Sequence, residues 1–457
     1  MQPIDRPVTS ESLGQAVSFT VHPLGSKAFG GSVVLPGSKS LSNRYLLLAA
    51  LANAQGTTQE QRLRNFLRSD DTARLQEALE QLGWSIGFED EPERAGAGQT
   101  QVVVGRRRGS APLDCRLFLG NAGTAYRPLA AVLSSNLFEG KFRLEGEPRM
   151  HERPIGPLVH ALRQLGAEVR ELGIPGFPPL EIAGSTLVGG RCQLDCTHSS
   201  QFLSSLLMAA PLAAKPVEIE CQGDLVSQGY VAMTIGLMAH FGVQVYSEGS
   251  GRFYRIEPQK YLGSSQGIEV ESDATSASYF LAAGAIGGTT VRVCGVGRPS
   301  CQGELAFAEV LERMGAQVRW GSNWVEVSRV GPLRGVDEDL RELPDAAMTL
   351  AVVALFAEGP TTIRGVANWK LKETDRQAAL ASELAKVGAQ VELLADGIRV
   401  FPIHHWKSAR IETYNDHRMA MCFALTCFGP EKQEILNPGC VSKTFPHFFR
   451  LWQSLQT

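Results

Sequence analysis

One pattern recurs six times along this chain of 457 residues. A short polar segment is followed at once by an apolar run rich in Ala and Leu. Ser, Asn and Asp favour helix N-caps, so each segment predicts the start of a helix, and each apolar run predicts a helix buried on nearly all sides. The segments begin at Ser38, Asn121, Ser199, Asp273, Asp345 and Asp416, which are 83, 78, 74, 72 and 71 residues apart.

A second series of markers lies between the first. Each has two apolar residues three apart followed by glycine, which is typical of an amphipathic helix with a glycine C-cap. The glycines are Gly83, Gly166, Gly242, Gly315 and Gly388, at spacings of 83, 76, 73 and 73 residues. Two independent markers with matching periods indicate six diverged copies of one unit of roughly 75 residues, each with two helices and short strands.

The composition of the chain argues against some classes of protein, namely nucleic-acid-binding and membrane-spanning ones. A hydrophobic content of 44% supports large cores, and six units divide most simply into two groups of three, with a boundary near residue 270. A net charge of −3 without a basic tract argues against a nucleic-acid partner. No apolar run approaches the length of a membrane span, and the start of the chain lacks an apolar signal core, so we expect a cytoplasmic protein.

The remaining local patterns are weaker. Nine cysteines without paired C-x-x-C motifs predict free thiols, and Cys192 and Cys196 have no obvious His partners for a metal site. Residues 1–20 are polar and predict a loose tail, and residues 89–99 predict a surface loop.

The chemistry lies at the predicted helix starts. A helix N-terminus offers free N–H groups and partial positive charge, which with Lys39 and Arg44 suits an anion such as phosphate. If the buried helices are parallel, their starts gather at one end of each domain, and two such ends facing across a cleft concentrate positive charge. The cations concerned are Lys39, Arg44, Arg127, Arg153, Lys372, Arg376, Arg418 and Lys443.

Two carboxylates, Asp345 and Glu373, occur among these cations. Nearby charges and burial tune the pKa of such groups, so they are candidates for proton transfer. Lys372 and Arg376 are four residues apart, which predicts one shared helix face with Glu373 beside it, although a solvated ion-pair face would give the same spacing. No acidic cluster suited to Mg²⁺ accompanies them, so arginines and lysines would stabilise the transition state. The residues thus predict a metal-free transferase acting on two small anions in a closing cleft.

Four motifs together resemble the 5-enolpyruvylshikimate-3-phosphate synthase family over about residues 30–450. They are Leu35–Arg44, Leu119–Pro128, Lys372–Arg376 and Tyr414–Ala420. The resemblance implies an α/β fold of two inverse globular domains, each with three βαβαββ units. It places one domain at residues 1–37 plus 271–457 and the other at 38–270, with the active-site cleft between them. It also implies a monomer without a cofactor.

The resemblance further implies a reaction and its residues. Phosphoenolpyruvate would be protonated at its methylene, attacked by the 5-hydroxyl of shikimate 3-phosphate, and then lose phosphate and a methyl proton. Asp345 is the implied base at the hydroxyl and Glu373 the implied base at the methyl group, with Lys39 and Lys443 as helpers. The implied ligands of shikimate 3-phosphate are Lys39, Ser40, Arg44, Ser199, Ser200, Gln201, Ser227, Tyr230, Asp345, Asn368 and Lys372. Those of phosphoenolpyruvate are Lys39, Asn121, Gly123, Arg153, Gln201, Arg376, His417, Arg418 and Lys443.

The chain departs from the family pattern at two places. Tyr126 stands where such proteins usually carry Met, and Gln228-Gly229 replaces a common Lys-Pro. Neither removes an implied ligand. Because Gly123, Thr124 and Pro128 match the sensitive form, the resemblance implies inhibition by glyphosate, which turnover undiminished at millimolar concentrations would contradict.

Three other classes of protein share part of this pattern. A UDP-N-acetylglucosamine enolpyruvyl transferase would share the fold and donor, but it uses a reactive loop cysteine. A P-loop kinase needs Gly and Lys adjacent, whereas Ser38 separates Gly37 from Lys39. A non-catalytic anion-binding paralogue would have no need of both Asp345 and Glu373.

Overall fold

The computed structural model describes residues 17–57, 60–90, 100–105, 114–249, 251–287 and 289–457. Within these ranges the α-helices are α1 Lys39–Ala54, α2 Asp70–Gln81, α3 Gly123–Leu133, α4 Gly156–Gln164, α5 Ser200–Ala209, α6 Gln228–His240, α7 Ala274–Gly287, α8 Phe307–Arg313, α9 Ala347–Val353, α10 Arg376–Lys386, α11 His417–Phe423 and α12 Phe448–Ser454. The strands are β1 Ser18–Val21, β2 Gly31–Val34, β3 Gln61–Phe66, β4 Ile86–Asp90, β5 Thr100–Val104, β6 Cys115–Phe118, β7 Lys141–Glu145, β8 Val169–Glu171, β9 Leu180–Ala183, β10 Gly190–Asp195, β11 Val217–Gln222, β12 Tyr246–Glu248, β13 Phe253–Ile256, β14 Ile268–Glu269, β15 Val291–Cys294, β16 Gln317–Trp320, β17 Trp324–Ser328, β18 Leu333–Arg334, β19 Asp337–Asp339, β20 Ala357–Glu358, β21 Thr361–Arg364, β22 Val391–Leu394, β23 Gly397–Val400, β24 Ala409–Ile411 and β25 Gln433–Leu436.

The strands form repeated small sheets. Five sheets have four strands, in the orders β14-β3-β5-β4, β6-β7-β9-β8, β10-β11-β13-β12, β2-β15-β17-β16 and β19-β21-β23-β22. In each, the first pair is parallel and the other two are antiparallel. A sixth sheet has three strands, β1-β25-β24, and a seventh consists of the parallel pair β18-β20. A parallel pair needs a crossover, which a buried helix supplies, so the predicted α/β class and six-fold repeat are confirmed.

Two of the sheets take their first strand from a distant part of the chain. β2 pairs in parallel with β15, so that Val33 lies opposite Val293. β14 pairs in parallel with β3, so that Ile268 lies opposite Leu63. The chain therefore completes its first helix-bearing unit with a strand that comes about 200 residues later.

The chain divides into two compact units. One takes the described residues up to Pro36 and from Ser272 to Thr457, and the other takes the described residues from Gly37 to Glu271. Each unit has its own hydrophobic core. The chain passes from one unit to the other twice, after Pro36 and after Glu271. On either side of these two points a backbone hydrogen bond joins residues of the same unit: Asp273 N–H donates to Pro36 O at 3.0 Å, and Ser38 N–H donates to Glu271 O at 2.8 Å.

The helices fall into the two predicted kinds. α1, α3, α5, α7, α9 and α11 are buried along almost their whole length. The outer helices α2, α4, α6, α8 and α10 are buried on one side only and end close to the five predicted glycines, whose φ angles lie between 76° and 109°. α6 differs from the amphipathic prediction, because its outer side carries small residues rather than charged ones. Glycine adopts this left-handed backbone without the steric cost of a Cβ, so it ends each helix and turns the chain towards the next strand.

Some local predictions were wrong. Ser18–Val21 is a strand rather than part of a loose tail, because it pairs with β25. Glu89 and Asp90 end β4, and the rest of the predicted loop lies outside the described residues, as do residues 1–16. Lys372 does not share a helix with Arg376, since Ala367–Leu371 is a 3-10 turn and α10 begins only at Arg376.

In the part of the chain that the structure describes, none of the helices is both long and apolar enough to cross a membrane. No group of three His, Cys, Asp or Glu side chains there could hold a metal ion. All nine cysteines lie in this part and are free thiols.

Candidate active site

In the Gly37–Glu271 unit, the first polar cluster lies at the start of α1. Ser38 is the N-cap in an extended conformation, and Lys39 is the first helical residue. The Lys39 Nζ lies 3.0 Å from Asp71 Oδ2, and Asp71 belongs to the first turn of α2. Only 12% of the Lys39 side chain is exposed, so this ion pair holds the ammonium at a fixed, partly accessible position.

Arg44 lies one turn further along α1 and is held from two sides. Its Nε donates to Thr234 Oγ1 of α6 at 2.8 Å, and its Nη1 donates to Ser40 O at 3.0 Å. Its guanidinium also lies 5.9 Å from the ring centroid of Tyr230. These contacts bring three predicted ligands together: Arg44, Ser40 and Tyr230.

Two buried arginines contact the start of α3: Arg127 lies within α3, and Arg153 follows the 3-10 turn Pro148–Glu152. Arg153 Nη1 donates to Asn121 O at 3.1 Å and to Asn121 Oδ1 at 2.9 Å. Arg127 Nη1 donates to Gln201 Oε1 of α5. A Cβ on Gly123 would lie 2.8 Å from Arg127 Nη1 and 3.0 Å from Arg153 Nη2, so any side chain there would displace at least one of the two guanidinium groups.

One atom in this cluster lacks a partner. Among the described residues, Arg153 Nε is buried with no hydrogen-bond acceptor. A buried donor without a partner costs about 1–3 kcal/mol, so an anion there would satisfy it.

The start of α5 supplies neutral donors. Ser199 is the N-cap, and its Oγ accepts from Gln201 N–H at 3.3 Å. Ser200 is buried at the first helical position. Ser227, the N-cap of α6, is buried in a left-handed conformation with φ 53°. Strained backbone of this kind at a non-glycine residue is common at binding sites.

In the other unit, Asp345 lies between three cations just before α9. Its Oδ1 lies 2.7 Å from Arg376 Nη1 and 3.4 Å from Lys372 Nζ, and its Oδ2 lies 2.7 Å from Arg418 Nη2. Burial alone would raise the pKa of this carboxyl, but Arg418, Lys372 and Arg376 outweigh it and hold the pKa well below its usual range. Asp345 is therefore an ionised hydrogen-bond acceptor.

Arg376 organises the surrounding acids. It donates from Nη2 to Glu373 Oε2 at 2.9 Å and from Nε to Asp416 Oδ2 at 2.8 Å. Asp416 in turn caps α11 by accepting from Arg418 N–H at 2.9 Å. Glu373 therefore lies next to the cations, as predicted. Lys372, however, reaches this cluster from an extended backbone segment rather than from α10.

The remaining predicted residues of this unit lie around the same helix starts. Asn368 belongs to the 3-10 turn Ala367–Leu371, and among the described residues its Oδ1 is buried without a partner. His417 is fully buried as the first residue of α11. Lys443 ends the 3-10 turn Pro438–Lys443, which packs against α11.

Sequence reasoning missed three acids at these sites: Asp71, Glu304 and the pairing role of Asp416. Asp416 was recognised only as the residue of a helix start, and Asp71 was not singled out. Glu304 lies in the 3-10 turn Gly303–Ala306 and is buried, and no motif or spacing marks it. A single acid next to an apolar segment is a weak signal, and only tertiary structure places it beside Asp345.

Each unit therefore presents clustered cations with fixed carboxylates. Charged groups already held by hydrogen bonds need little reorganisation when charge develops on a substrate. Such clusters suit binding of phosphate and carboxylate groups, with Asp345 and Glu373 available for proton transfer.

Comparisons with known proteins agree on one family. A family model described as EPSP synthase (3-phosphoshikimate 1-carboxyvinyltransferase) matches residues 24–452. A 3-phosphoshikimate 1-carboxyvinyltransferase from Nitrosomonas europaea is 51% identical over 430 residues, covering 93% of this chain and 96% of that protein. One from Shewanella loihica is 51% identical over 425 residues, with coverage of 93% and 96%. The solved structure of EPSP synthase from Acinetobacter baumannii matches with a TM-score of 0.76 and 25% identity, covering 96% of this chain and 98% of that one.

Proposed function

Since the chain belongs to the EPSP synthase family, we propose that it transfers the enolpyruvyl group of phosphoenolpyruvate to the 5-hydroxyl of shikimate 3-phosphate. The products are 5-enolpyruvylshikimate 3-phosphate and phosphate. The observation that best supports this reaction is the ionised Asp345 held between Arg376, Arg418 and Lys372. The arrangement combines a proton acceptor with cations that bind anionic substrates.

The reaction proceeds by addition and elimination. The ammonium of Lys39 or Lys443 donates a proton to the methylene carbon of phosphoenolpyruvate. The 5-hydroxyl oxygen bonds to the adjacent cationic carbon while its proton passes to Asp345. Glu373 then removes a proton from the new methyl group as the carbon–oxygen bond to phosphate breaks, so the electron pair of that C–H bond restores the double bond. Lys39 and Lys443 stabilise the phosphate and carboxylate charges.

Each substrate is assigned its own set of ligands. Shikimate 3-phosphate contacts Lys39, Ser40, Arg44, Ser199, Ser200, Gln201, Ser227, Tyr230, Asp345, Asn368 and Lys372. Phosphoenolpyruvate contacts Lys39, Asn121, Gly123, Arg153, Gln201, Arg376, His417, Arg418 and Lys443. The partnerless Arg153 Nε and Asn368 Oδ1 support these assignments, because polar ligand atoms would satisfy both.

The first experiment is phosphate release from phosphoenolpyruvate and shikimate 3-phosphate, with EDTA present. Release that needs both substrates and survives EDTA supports a metal-free transfer, whereas no release with both ligands bound would contradict it. Release with UDP-N-acetylglucosamine as acceptor would indicate the related transferase, and ATP hydrolysis would indicate a kinase.

We propose that the protein acts in the cytoplasm as a monomer without nucleic-acid partners, and sedimentation with and without substrates tests the oligomeric state.

A further inference from the structure

Glu304 lies behind Asp345 and bonds to the backbone that carries it. Its Oε2 accepts from Ala346 N–H at 3.0 Å, and its Oε1 accepts from Asp345 N–H at 3.4 Å. Glu304 is 4% exposed, whereas 14% of the Asp345 side chain is exposed. The substrate-accessible acid is thus backed by a more deeply buried one.

The turn that carries Glu304 also serves the start of a second buried helix. Gln302 Oε1 accepts from Ala274 N–H of α7 at 3.1 Å, and its Nε2 donates to Ser272 O at 2.8 Å. The two side chains therefore fix the starts of α7 and α9. Both side chains accept from N–H groups at a helix start, but Gln302 is neutral, whereas Glu304 adds a carboxylate next to Asp345.

We propose that Glu304 is a positioning residue of the transferase reaction, which fixes the backbone of Asp345 and holds a second carboxylate beside it. This role rests on the proposed function, in which Asp345 accepts the proton of the attacking hydroxyl. A base that is displaced by about 1 Å can lose about 100-fold in rate, so the two N–H contacts matter for catalysis.

The charges around Glu304 define its effect. Asp345 faces it as a like charge, and Arg418 and Lys372 are the nearby cations. Burial and the charge of Asp345 raise the pKa of Glu304 to about 7, against the opposing effects of Arg418, the Ala346 N–H and Lys372. The interaction is reciprocal, so an ionised Glu304 increases the proton affinity of Asp345 and makes it a better base.

The test compares E304Q and E304D with the wild type in single-turnover experiments, which report the chemical step. E304Q keeps the size but loses the charge and one of the two acceptors. We expect its rate constant to fall about 100-fold, with KM values near those of the wild type. The wild-type rate should rise with an inflection near pH 7, and E304Q should lack that inflection. E304D keeps the charge, so it should be slower but retain a pH inflection.

The matched control is Glu309→Gln on the exposed side of α8, which should leave both rate and pH profile unchanged. A folded E304Q with the wild-type rate and pH profile overturns the proposal, as does a variant that loses only thermal stability. If neither variant folds, the Ala346 amide proton of the wild type is followed by NMR. A shift with a midpoint near 7 supports the contact with a titrating Glu304, and a constant shift overturns it. A wild type without transferase activity would refute the proposed function instead.

Discussion

Arg376 and Asp416 form an ion pair that is almost completely removed from solvent. The Nε–Oδ2 distance is 2.8 Å, and the exposed fractions of the two side chains are 1% and 0%. Asp416 also caps α11 through the Arg418 N–H, so one carboxylate bonds the guanidinium of Arg376 and the backbone of Arg418, the two arginines that contact Asp345. The geometry of the proposed base thus depends on a residue that does not touch it.

Replacing Asp416 by Asn should therefore weaken both stability and activity. Asn keeps the helix cap but removes the charge that pairs with Arg376, and breaking a buried pair in this way costs about 3–5 kcal/mol. Urea unfolding measures the loss. The control is Asp375→Asn at the cap of α10, where Asp375 accepts from Ala378 N–H and is partly exposed, and we expect a change within about 0.5 kcal/mol. Equal stability of the two variants would contradict the structural role of the pair.

Glu373→Gln tests the proposed removal of the methyl proton. The amide can still accept from Arg376, so the fold should be retained, but it cannot take up a proton. We expect the rate of phosphate release to fall by about 10²–10⁴-fold, while binding of shikimate 3-phosphate persists. Glu358→Gln, at an exposed position, is the control for loss of one carboxylate and should keep full activity. Full activity of the Glu373 variant would exclude this residue as the base.

Gly123→Ala tests the space between the two arginines. The added methyl would lie 2.8 Å from Arg127 Nη1 and 3.0 Å from Arg153 Nη2, so at least one guanidinium must move. Charge-assisted hydrogen bonds are worth about 1.5–3 kcal/mol, so we expect KM for phosphoenolpyruvate to rise about 10- to 100-fold and inhibition by glyphosate to weaken.

The matched control for that variant is Gly236→Ala in α6, because nothing lies within 4 Å of the added methyl. Alanine there should leave the kinetics unchanged and stabilise the helix by about 1 kcal/mol. If the Gly123 variant shows the same unchanged KM, the proposed phosphoenolpyruvate site is in the wrong place.

Glu304 also predicts a pH dependence of stability. Its pKa is about 7 in the folded protein and about 4.3 in an unfolded chain. Between these values the folded state binds more protons than the unfolded state, so the contribution of Glu304 to stability falls as pH rises and is constant above pH 7. E304Q lacks this pH-dependent contribution, because a glutamine side chain does not titrate. The free energy of unfolding of the wild type minus that of E304Q should therefore decrease from pH 4.5 to 7, and a difference independent of pH would contradict the prediction.

The repeat was predictable because its signals are local. N-cap residues before apolar runs mark the six buried helices, and a glycine such as Gly315 marks the end of an outer helix through its own backbone preference. The pairing of β2 with β15 and of β14 with β3 has no such signal, because the sequence of a short apolar strand does not specify its distant partner. The same limit applies to β1, whose polar context predicted a tail.

The site was predictable at the level of residues but less so at the level of geometry. Asp345, Glu373 and Arg376 were identified from charge and from motif. In the structure the Arg376 guanidinium donates to both carboxylates. Helical spacing gave the wrong reason for the proximity of Lys372, because the helix begins four residues later. Glu304 was missed because its function depends on a contact with residues about 40 positions away.

The strand exchange has a consequence for the order in which a newly made chain can fold. The described residues from Gly37 to Glu271 form a unit that closes on itself, since Ser38 N–H donates to Glu271 O. Val33, in contrast, must wait for Val293, 260 residues later, which takes roughly 13 to 50 seconds at typical rates of synthesis. On the ribosome, the inserted unit should therefore become resistant to protease while β2 still lacks its neighbour. The protein would mature from its middle outwards, with the two ends of the chain assembled last.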